Sequence, residues 1–255
     1  MHIETILITG AAQGIGLATA KRYAAQGWYI GLYDINREGI EQLLASGDFP
    51  NACGDYSDVT DITSISAMFE HFSKHTDGRL DLLINNAGVL TTGPFDQIDH
   101  KLHDQMTDVN VRGATNTVQL AFPLLKQTPG ATVVNLCSAS SIHGIPKLAV
   151  YSATKFYING LTEALDLEWK PYDIRVTSIK PPVINNPMGQ AVADELPQKL
   201  GMNLTSENVA EQIQRAAERN GTSFLMGRAT KLWYWLDKLL PNVLRHSLTK
   251  YLIGQ

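Results

Sequence analysis

Tyr151 and Lys155 are the residues whose types and spacing first indicate chemistry. Four residues apart on a helix, they lie on one face, a turn apart. A nearby cation favours the ionised form of a phenol, so the spacing predicts that Lys155 lowers the pKa of Tyr151 below its usual value of about 10. Such a tyrosine can give a proton to a carbonyl oxygen or take one from an alcohol. The same pattern occurs on ordinary exposed helices, so this hypothesis requires a nucleotide site and an oxyanion partner elsewhere in the chain.

A glycine-rich turn near the start of the chain supplies the nucleotide site. The apolar run Ile6 to Thr9 leads into a turn that precedes a helical pattern, and the turn contains Gly10, Gln13, Gly14, Ile15 and Gly16. Glycines allow a tight turn and a close approach to a pyrophosphate at a helix N-terminus. A turn without a ligand is the alternative, and the strand that precedes it favours nucleotide binding.

Asp34 ends the second predicted strand, Trp28 to Tyr33, about 20 residues beyond the glycine turn. An acid at this place accepts hydrogen bonds from the adenosine ribose hydroxyls and repels a 2′-phosphate. Arg37 lies close and argues for NADP, but Gln13 is neutral, so we expect NAD. Asp34 could also cap the following helix, which is compatible with the ligand role.

Two further polar turns follow predicted strands. Asp58 and Val59 come after a predicted strand at Phe49 to Cys53, and Asp58 either bonds an adenine amino group or caps the helix at 62–75. The apolar strand at 80–84 leads into the turn Asn86-Ala87-Gly88. The Asn amide can bond the backbone across the turn, and the two small residues leave room beside a cofactor.

Two polar residues occur where they could assist a reaction. Asn110 lies in a helical pattern, where it indicates either a local bend or a solvated helix face. Ser138 follows the fifth predicted strand, Ala131 to Cys137, at the edge where open α/β sheets place their sites. Its hydroxyl serves catalysis or belongs to an ordinary serine-rich loop. His143, farther along that loop, is either a substrate-lining group or simply exposed.

In this order, these motifs resemble the short-chain dehydrogenase/reductase family over about residues 3–226. The resemblance implies a single-domain α/β fold of Rossmann type, with a doubly wound, parallel, seven-stranded sheet and helices on both faces. It implies hydride transfer to or from NAD(P) and a homodimer or homotetramer. Asp34 resembles the family's ribose acid, Asp58-Val59 its adenine contact, and Asn86-Ala87-Gly88 the motif that steadies its central sheet.

Asn110, Ser138, Tyr151 and Lys155 resemble the catalytic tetrad of this family. We expect Ser138 to bond the substrate oxygen and Tyr151 to transfer the proton. Lys155 would bond the nicotinamide ribose and lower the tyrosine pKa, and Asn110 would hold a water that links Lys155 to solvent. The alternatives are an NAD-binding scaffold or sensor without turnover, and an isomerase or dehydratase that retains a nucleotide.

The chain departs from the family pattern after the sixth predicted strand, at Ile174 to Ile179. Pro181-Pro182 stands where the family usually has Pro-Gly, and proline cannot adopt positive φ and lacks an N–H. Asn186 stands where a threonine is frequent. Ile184 fits the position whose backbone would bond the nicotinamide carboxamide, so both departures bear on that contact.

Composition sets the remaining expectations. The 255 residues, with a net charge of −4, suit one large domain and argue against a nucleic-acid partner. The two cysteines, Cys53 and Cys137, form no metal or disulfide pattern. The N-terminus does not resemble a signal peptide, so we expect a cytoplasmic protein.

We expect a catalytic domain over residues 1–227, with a substrate lid at about 185–204 whose apolar residues suit a hydrophobic alcohol or carbonyl compound. Residues 228–255 form an amphipathic helical extension, which Pro241 divides in two. We expect its apolar face to pack on its own domain or a partner subunit. A membrane interface is the less favoured alternative.

Overall fold

Seven short strands pair in parallel in one sheet, in the order β3-β2-β1-β4-β5-β6-β7. The computed structural model describes residues 3–191, 204–241, 243–245, 247 and 250. The strands are β1 (Thr5–Thr9), β2 (Tyr29–Asp34), β3 (Ala52–Tyr56), β4 (Leu82–Asn85), β5 (Thr132–Leu136), β6 (Arg175–Lys180) and β7 (Ser223–Leu225). The strand order reverses between β1 and β4, and open α/β sheets bind ligands at such a switch point.

Helices connect the strands and cover both faces of the sheet. They are α1 (Gly14–Ala24), α2 (Arg37–Ala45), α3 (Ile62–Thr76), α4 (His100–Thr107), α5 (Ala114–Gln127), α6 (Ala149–Glu168), α7 (Pro187–Ala191), α8 (Ser206–Glu218) and α9 (Arg228–Leu239). Alternate residues of a strand face opposite sides. Ile6 and Ile8 therefore pack with α1 and α8, whereas Leu7 packs with α3 and α5. The predicted doubly wound fold is confirmed.

The third strand is the one that the sequence placed wrongly. The prediction was Phe49 to Cys53, but β3 begins at Ala52 and continues through Tyr56. Phe49 is buried in the core ahead of the strand. Among the described strands, β3 lies at the edge of the sheet and pairs with β2 alone, and its carboxyl half is polar and exposed. The apolar run in the sequence therefore did not mark where this strand begins and ends.

The C-terminal segment docks on the domain by one side of α9. Asp237 Oδ1 lies 2.9 Å from His143 Nδ1, and the Lys180 ammonium lies 5.6 Å from the centre of the Tyr234 ring. The fully buried residues of α9 are the polar Thr230 and Asp237, whereas the apolar Leu232, Trp235 and Leu239 face solvent. The expected packing of the apolar face on its own domain is therefore wrong for these three residues, and packing on a partner subunit stays a prediction. Residues 243–245, beyond Pro241, are helical again, as predicted. No helix in the described part of the chain is long and apolar enough to cross a membrane.

Candidate active site

A cavity of about 730 Å³ lies at the carboxyl ends of the strands, within the roughly 300–1,000 Å³ typical of ligand sites. Most residues predicted for the site line it: Gly10, Gln13, Gly14, Ile15, Asp34, Asp58, Val59, Asn86, Ala87, Gly88, Ser138, Tyr151, Lys155, Pro181 and Ile184. The two exceptions are Gly16 and Asn110, which lie behind the wall. The carboxyl ends of parallel strands meet at one edge of the sheet, which explains this convergence.

The glycine turn has the backbone shape that only glycine adopts easily. Gly10 and Gly14 have φ of +68° and +56°. A Cβ on Gly16 would collide with the Gly10 carbonyl oxygen, so Gly16 lets α1 start against the turn. Gln13, the N-cap of α1, makes no side-chain capping bond, so its side chain leaves the N–H groups of the first turn to other acceptors. This cradle fits a pyrophosphate at a helix N-terminus.

Asp34 joins the end of β2 to the glycine turn. Its Oδ2 accepts a hydrogen bond from the Ala12 N–H at 3.0 Å, and its Oδ1 accepts one from the Asn36 N–H at 2.9 Å. The suggestion that Asp34 caps the following helix is wrong, because Asn36 is the N-cap of α2. A carboxylate has about four acceptor positions, so Asp34 keeps capacity for hydroxyl groups in the cavity. Arg37 is engaged elsewhere, 2.7 Å from Asp55.

Asp58 also lies at the cavity and does not cap a helix. Its Oδ1 accepts hydrogen bonds from the Thr60 N–H and hydroxyl, both at 2.8 Å. The N-cap of α3 is Asp61, whose side chain accepts from the Thr63 N–H at 2.9 Å. Of the two interpretations left open by the sequence, the cap is wrong. The adenine contact remains a prediction.

Thr9 and Asn86 fasten the two strands at the switch point. The Asn86 amide donates to the carbonyl oxygens of Thr9 and Gly10 at 2.9 and 3.0 Å. The Thr9 hydroxyl accepts hydrogen bonds from the N–H groups of Asn86 and Ala87, both at 3.1 Å. This network holds the glycine turn against the end of β4. The sequence indicated the role of Asn86, whereas the role of the Thr9 hydroxyl appears only in the structure.

Asn110 sits in a π-helical segment, Asp108–Gly113, between α4 and α5, which agrees with the predicted local bend. Its Oδ1 accepts from the Val89 N–H at 2.8 Å, and its amide nitrogen donates to the Val89 carbonyl at 2.8 Å and to Thr154 at 3.3 Å. It is 1% exposed, so the solvated-face alternative is wrong. These bonds use both hydrogens of the amide nitrogen and one acceptor position of Oδ1, and the role of Asn110 in holding a water stays a prediction.

Ser138, Tyr151 and Lys155 meet on one side of the cavity. Tyr151 lies in the first turn of α6, and the Lys155 ammonium lies 5.6 Å from the centre of its ring. The buried ammonium donates to the Leu136 carbonyl at 2.8 Å, and it carries two further N–H donors. The Ser138 hydroxyl caps a short turn by accepting from the Ser140 N–H at 3.2 Å.

The predicted lowering of the tyrosine pKa is wrong for the protein alone. Burial raises the pKa of Tyr151 to about 12, and a hydrogen bond with Ser138 offsets this only in part. Burial also lowers the pKa of the Lys155 ammonium. The sequence showed a cation near a phenol but not the loss of solvent around both groups, which is the larger effect here.

The Pro181-Pro182 turn lines the cavity. The Pro181 carbonyl accepts from the Ala139 N–H at 2.9 Å, which ties the turn to the loop after Ser138. Ile184 lines the cavity, and its N–H has no acceptor among the described residues, so it can serve a ligand. Asn186, in place of threonine, accepts from the Gly189 N–H at 2.8 Å and caps α7. Most of the expected lid, residues 192–203, lies outside the described residues.

The structure adds residues to the site that sequence reasoning missed. Arg228, Thr230 and Trp233 of α9 line the cavity, together with Leu148. The tail's apolar pattern was visible in the sequence, but not which side of the helix faces the cavity. His143, considered as a substrate-lining residue, is not part of the cavity wall and pairs instead with α9.

A second group of side chains lies off the cavity. The Cys53 sulfur and one ring nitrogen each of His71 and His75, atoms of the kind that bind metal ions, lie within 4.8 Å of one another. The Tyr33 hydroxyl bonds His71 Nδ1 at 2.9 Å and contacts the Cys53 sulfur at 3.6 Å. The residues come from β3 and α3, so their spacing along the chain could not indicate the cluster.

Comparison with known proteins agrees with this geometry. The family model of the short chain dehydrogenases matches residues 4–197. A D-threitol dehydrogenase of Mycolicibacterium smegmatis is 32% identical over 193 residues, 75% of this chain and 74% of that protein. A 3alpha-hydroxysteroid dehydrogenase of Mediterraneibacter gnavus is 30% identical over 195 residues, 75% and 78% of the two chains.

A solved structure gives the same result in three dimensions. It is the 3-ketoacyl-(acyl-carrier-protein) reductase from Brucella melitensis complexed with NADH, which matches with a TM-score of 0.78 and 26% identity. The match covers 88% of this chain and 97% of that one. The chain therefore belongs to the short-chain dehydrogenase/reductase family, whose enzymes act on CH–OH or C=O groups with a nicotinamide cofactor.

Proposed function

We propose that this protein is an NAD-dependent oxidoreductase that interconverts a fairly hydrophobic alcohol and its ketone or aldehyde. The observation that carries the proposal is the convergence of Ser138, Tyr151 and Lys155 on a cavity that also contains the glycine turn. A scaffold that only binds the nucleotide would have no need of this set of groups. The bound cofactor supplies the hydride donor or acceptor.

The protein's own groups handle the proton and the substrate oxygen. With a pKa raised to about 12, the Tyr151 phenol is neutral at pH 7 and can donate its proton to an oxygen that gains charge during reduction. Ser138 donates a hydrogen bond to the same oxygen. Lys155 keeps one N–H on the Leu136 carbonyl and offers the others to ribose hydroxyls. In the oxidative direction, Tyr151 must first lose its proton and then accept that of the alcohol.

Two contacts favour NAD over NADP. Asp34 lines the cavity at the end of β2, where its carboxylate can accept hydrogen bonds from the ribose hydroxyls and its negative charge repels a 2′-phosphate. Arg37, the nearby cation, is paired with Asp55 and stacks over the Tyr56 ring at 5.2 Å. To bind a 2′-phosphate, Arg37 would have to leave both contacts.

The substrate region of the cavity is apolar. Ile145, Leu148, Met188 and Trp233 line it, and apolar walls with few polar groups favour an apolar ligand. The relatives are named for substrates as different as threitol and a hydroxysteroid, so the cavity wall is the stronger argument. We also propose a homodimer or homotetramer, since Phe156 and Tyr157 of α6 are more than 40% exposed.

The test is a panel of alcohols and carbonyl compounds, graded from polar to apolar, with NAD⁺ or NADH and absorbance read at the NADH band. We expect net oxidation or reduction, fastest with apolar members. Tyr151→Phe is the control, and it should bind NADH normally without turning over. A protein that binds NADH but gives no net change with any member would favour the scaffold. Conversion of substrate without net change in NADH would favour the isomerase or dehydratase.

A further inference from the structure

The side of α9 that faces away from the domain is apolar. Leu232, Trp235 and Leu239 are 61%, 60% and 76% exposed. At about 100° per residue, these three lie within about 60° of one another, opposite the buried residues Thr230 and Asp237. We call Leu232, Trp235 and Leu239 the α9 stripe. Single exposed leucines are common, but a continuous apolar stripe on a docked helix marks a contact surface.

The same apolar character continues beyond Pro241. Val243 and Leu244 are 78% and 52% exposed. The inner side of α9 already contacts the domain, because Asp237 pairs with His143 and Tyr234 lies beneath Lys180. The α9 stripe is therefore a second surface of the helix, which the domain does not cover.

Charge distinguishes this segment from the rest of the chain. Residues 228–255 contain five Lys or Arg and one acid, a formal net charge of +4, whereas the whole chain carries −4. The single acid, Asp237, is buried and faces His143 and Arg245. Lys231 and Lys238 are exposed and follow one flank of the stripe. The outward surface is thus apolar in the middle and basic beside it.

We infer that the α9 stripe, with Lys231 and Lys238, docks this protein on an anionic lipid surface. A helix with an apolar face that includes tryptophan and a basic flank lies in a membrane interface, and each basic residue near an anionic leaflet adds to the attraction. A second copy of the chain fits less well. A two-fold interface brings the same patch of both subunits together, which would set these lysines near their own counterparts.

This docking reverses the expectation that the tail packs only on protein. It also has a consequence for the cavity, because Thr230 and Trp233 of the same helix line it. A helix that rests on lipid would then form part of the substrate wall. Vesicle binding does not depend on catalysis or on NADH binding, so it can succeed or fail separately from the proposed function.

The test is flotation of the full chain with phosphatidylcholine vesicles, with and without phosphatidylglycerol, at low and high salt. We expect flotation with the anionic vesicles at low salt, and at least a tenfold lower partition coefficient without phosphatidylglycerol or at high salt. Lys231→Gln with Lys238→Gln should lower the partition coefficient roughly 30-fold, since each basic residue contributes about fivefold. Trp235→Ser with Leu239→Ser should remove binding, because it deletes most of the stripe.

Leu167→Ser is the matched control. Leu167, on α6, is 75% exposed, like Leu239 at 76%, and its replacement should leave flotation unchanged. Circular dichroism and NADH titration show that each variant is folded. The inference is overturned if the intact protein does not float with anionic vesicles, or if the control loses binding as strongly as the stripe variant. It is also overturned if the stripe variant only converts an oligomer to monomer by light scattering, because the stripe is then a subunit interface.

Discussion

Replacement of Asp34 by alanine should narrow the preference for NADH over NADPH. The wild-type carboxylate already accepts two backbone N–H groups, from Ala12 and Asn36, and its remaining acceptor positions would serve the ribose hydroxyls. Hydrogen bonds to a charged group contribute about 1.5–3 kcal/mol each. Because Asp34 is only half-buried, we expect a total loss of that size, which weakens NADH binding about 10- to 150-fold.

For NADPH the same change removes a repulsion. Two unit charges about 4 Å apart near a protein surface interact by about 4 kcal/mol, so Asp34→Ala should tighten NADPH binding or leave it unchanged. Arg37 is held by Asp55 in an exposed pair, and such a pair is worth only about 0–1 kcal/mol. Asp34→Ala with Asp55→Ala should therefore free Arg37 and tighten NADPH binding by up to about fivefold more.

The assay is titration of NADH and NADPH by quenching of protein fluorescence, which four tryptophans make practical. Asp55→Ala alone is the control and should leave the NADH dissociation constant nearly unchanged. Thermal melts, taken first, set a temperature at which each variant is folded. The reasoning is refuted if the wild type binds NADPH as tightly as NADH, or if Asp34→Ala leaves the ratio of the two constants unchanged.

Three further predictions address the rest of the site. Tyr151→Phe should lower kcat by a factor of about 10²–10⁴. Because burial raises the pKa of Tyr151 to about 12, the ionised fraction of its phenol increases with pH, so the rate of alcohol oxidation by the wild type should rise from about pH 6 to 9. A pH-independent rate would contradict this role. Asn110→Ala leaves a main-chain N–H and C=O of the cavity wall unpaired and should cost about 2–4 kcal/mol in urea unfolding, against under about 0.5 kcal/mol for the exposed Asn220→Ala. Asp237→Ala removes the carboxylate that pairs with His143 and should cost about 1–3 kcal/mol. Equal protease resistance of the tail in mutant and wild type would argue against this docking contact.

The sequence alone determined most of the fold and many of the residues that line the cavity. A strand, a glycine turn and a helix follow from local backbone preferences, as with Gly10 and Gly14, whose positive φ values suit glycine. Parallel strands then bring Asp34, Ser138 and the helix of Tyr151 to one edge, because their carboxyl ends coincide. These inferences need only local geometry and one rule of topology.

Only the tertiary structure decided how these groups behave. The direction of the Tyr151 pKa shift depends on how completely neighbouring elements exclude water, and the partners of Asn110 depend on where the segment after β4 passes. Because β3 lies at the edge of the sheet, part of the strand is polar and exposed, and its apolar run did not mark its bounds. Likewise, α9 brings Trp233 to the cavity from about 80 residues beyond Tyr151, and directs its apolar stripe outward. Burial, register and helix orientation are properties of several elements packed together, so no single stretch of the chain specifies them.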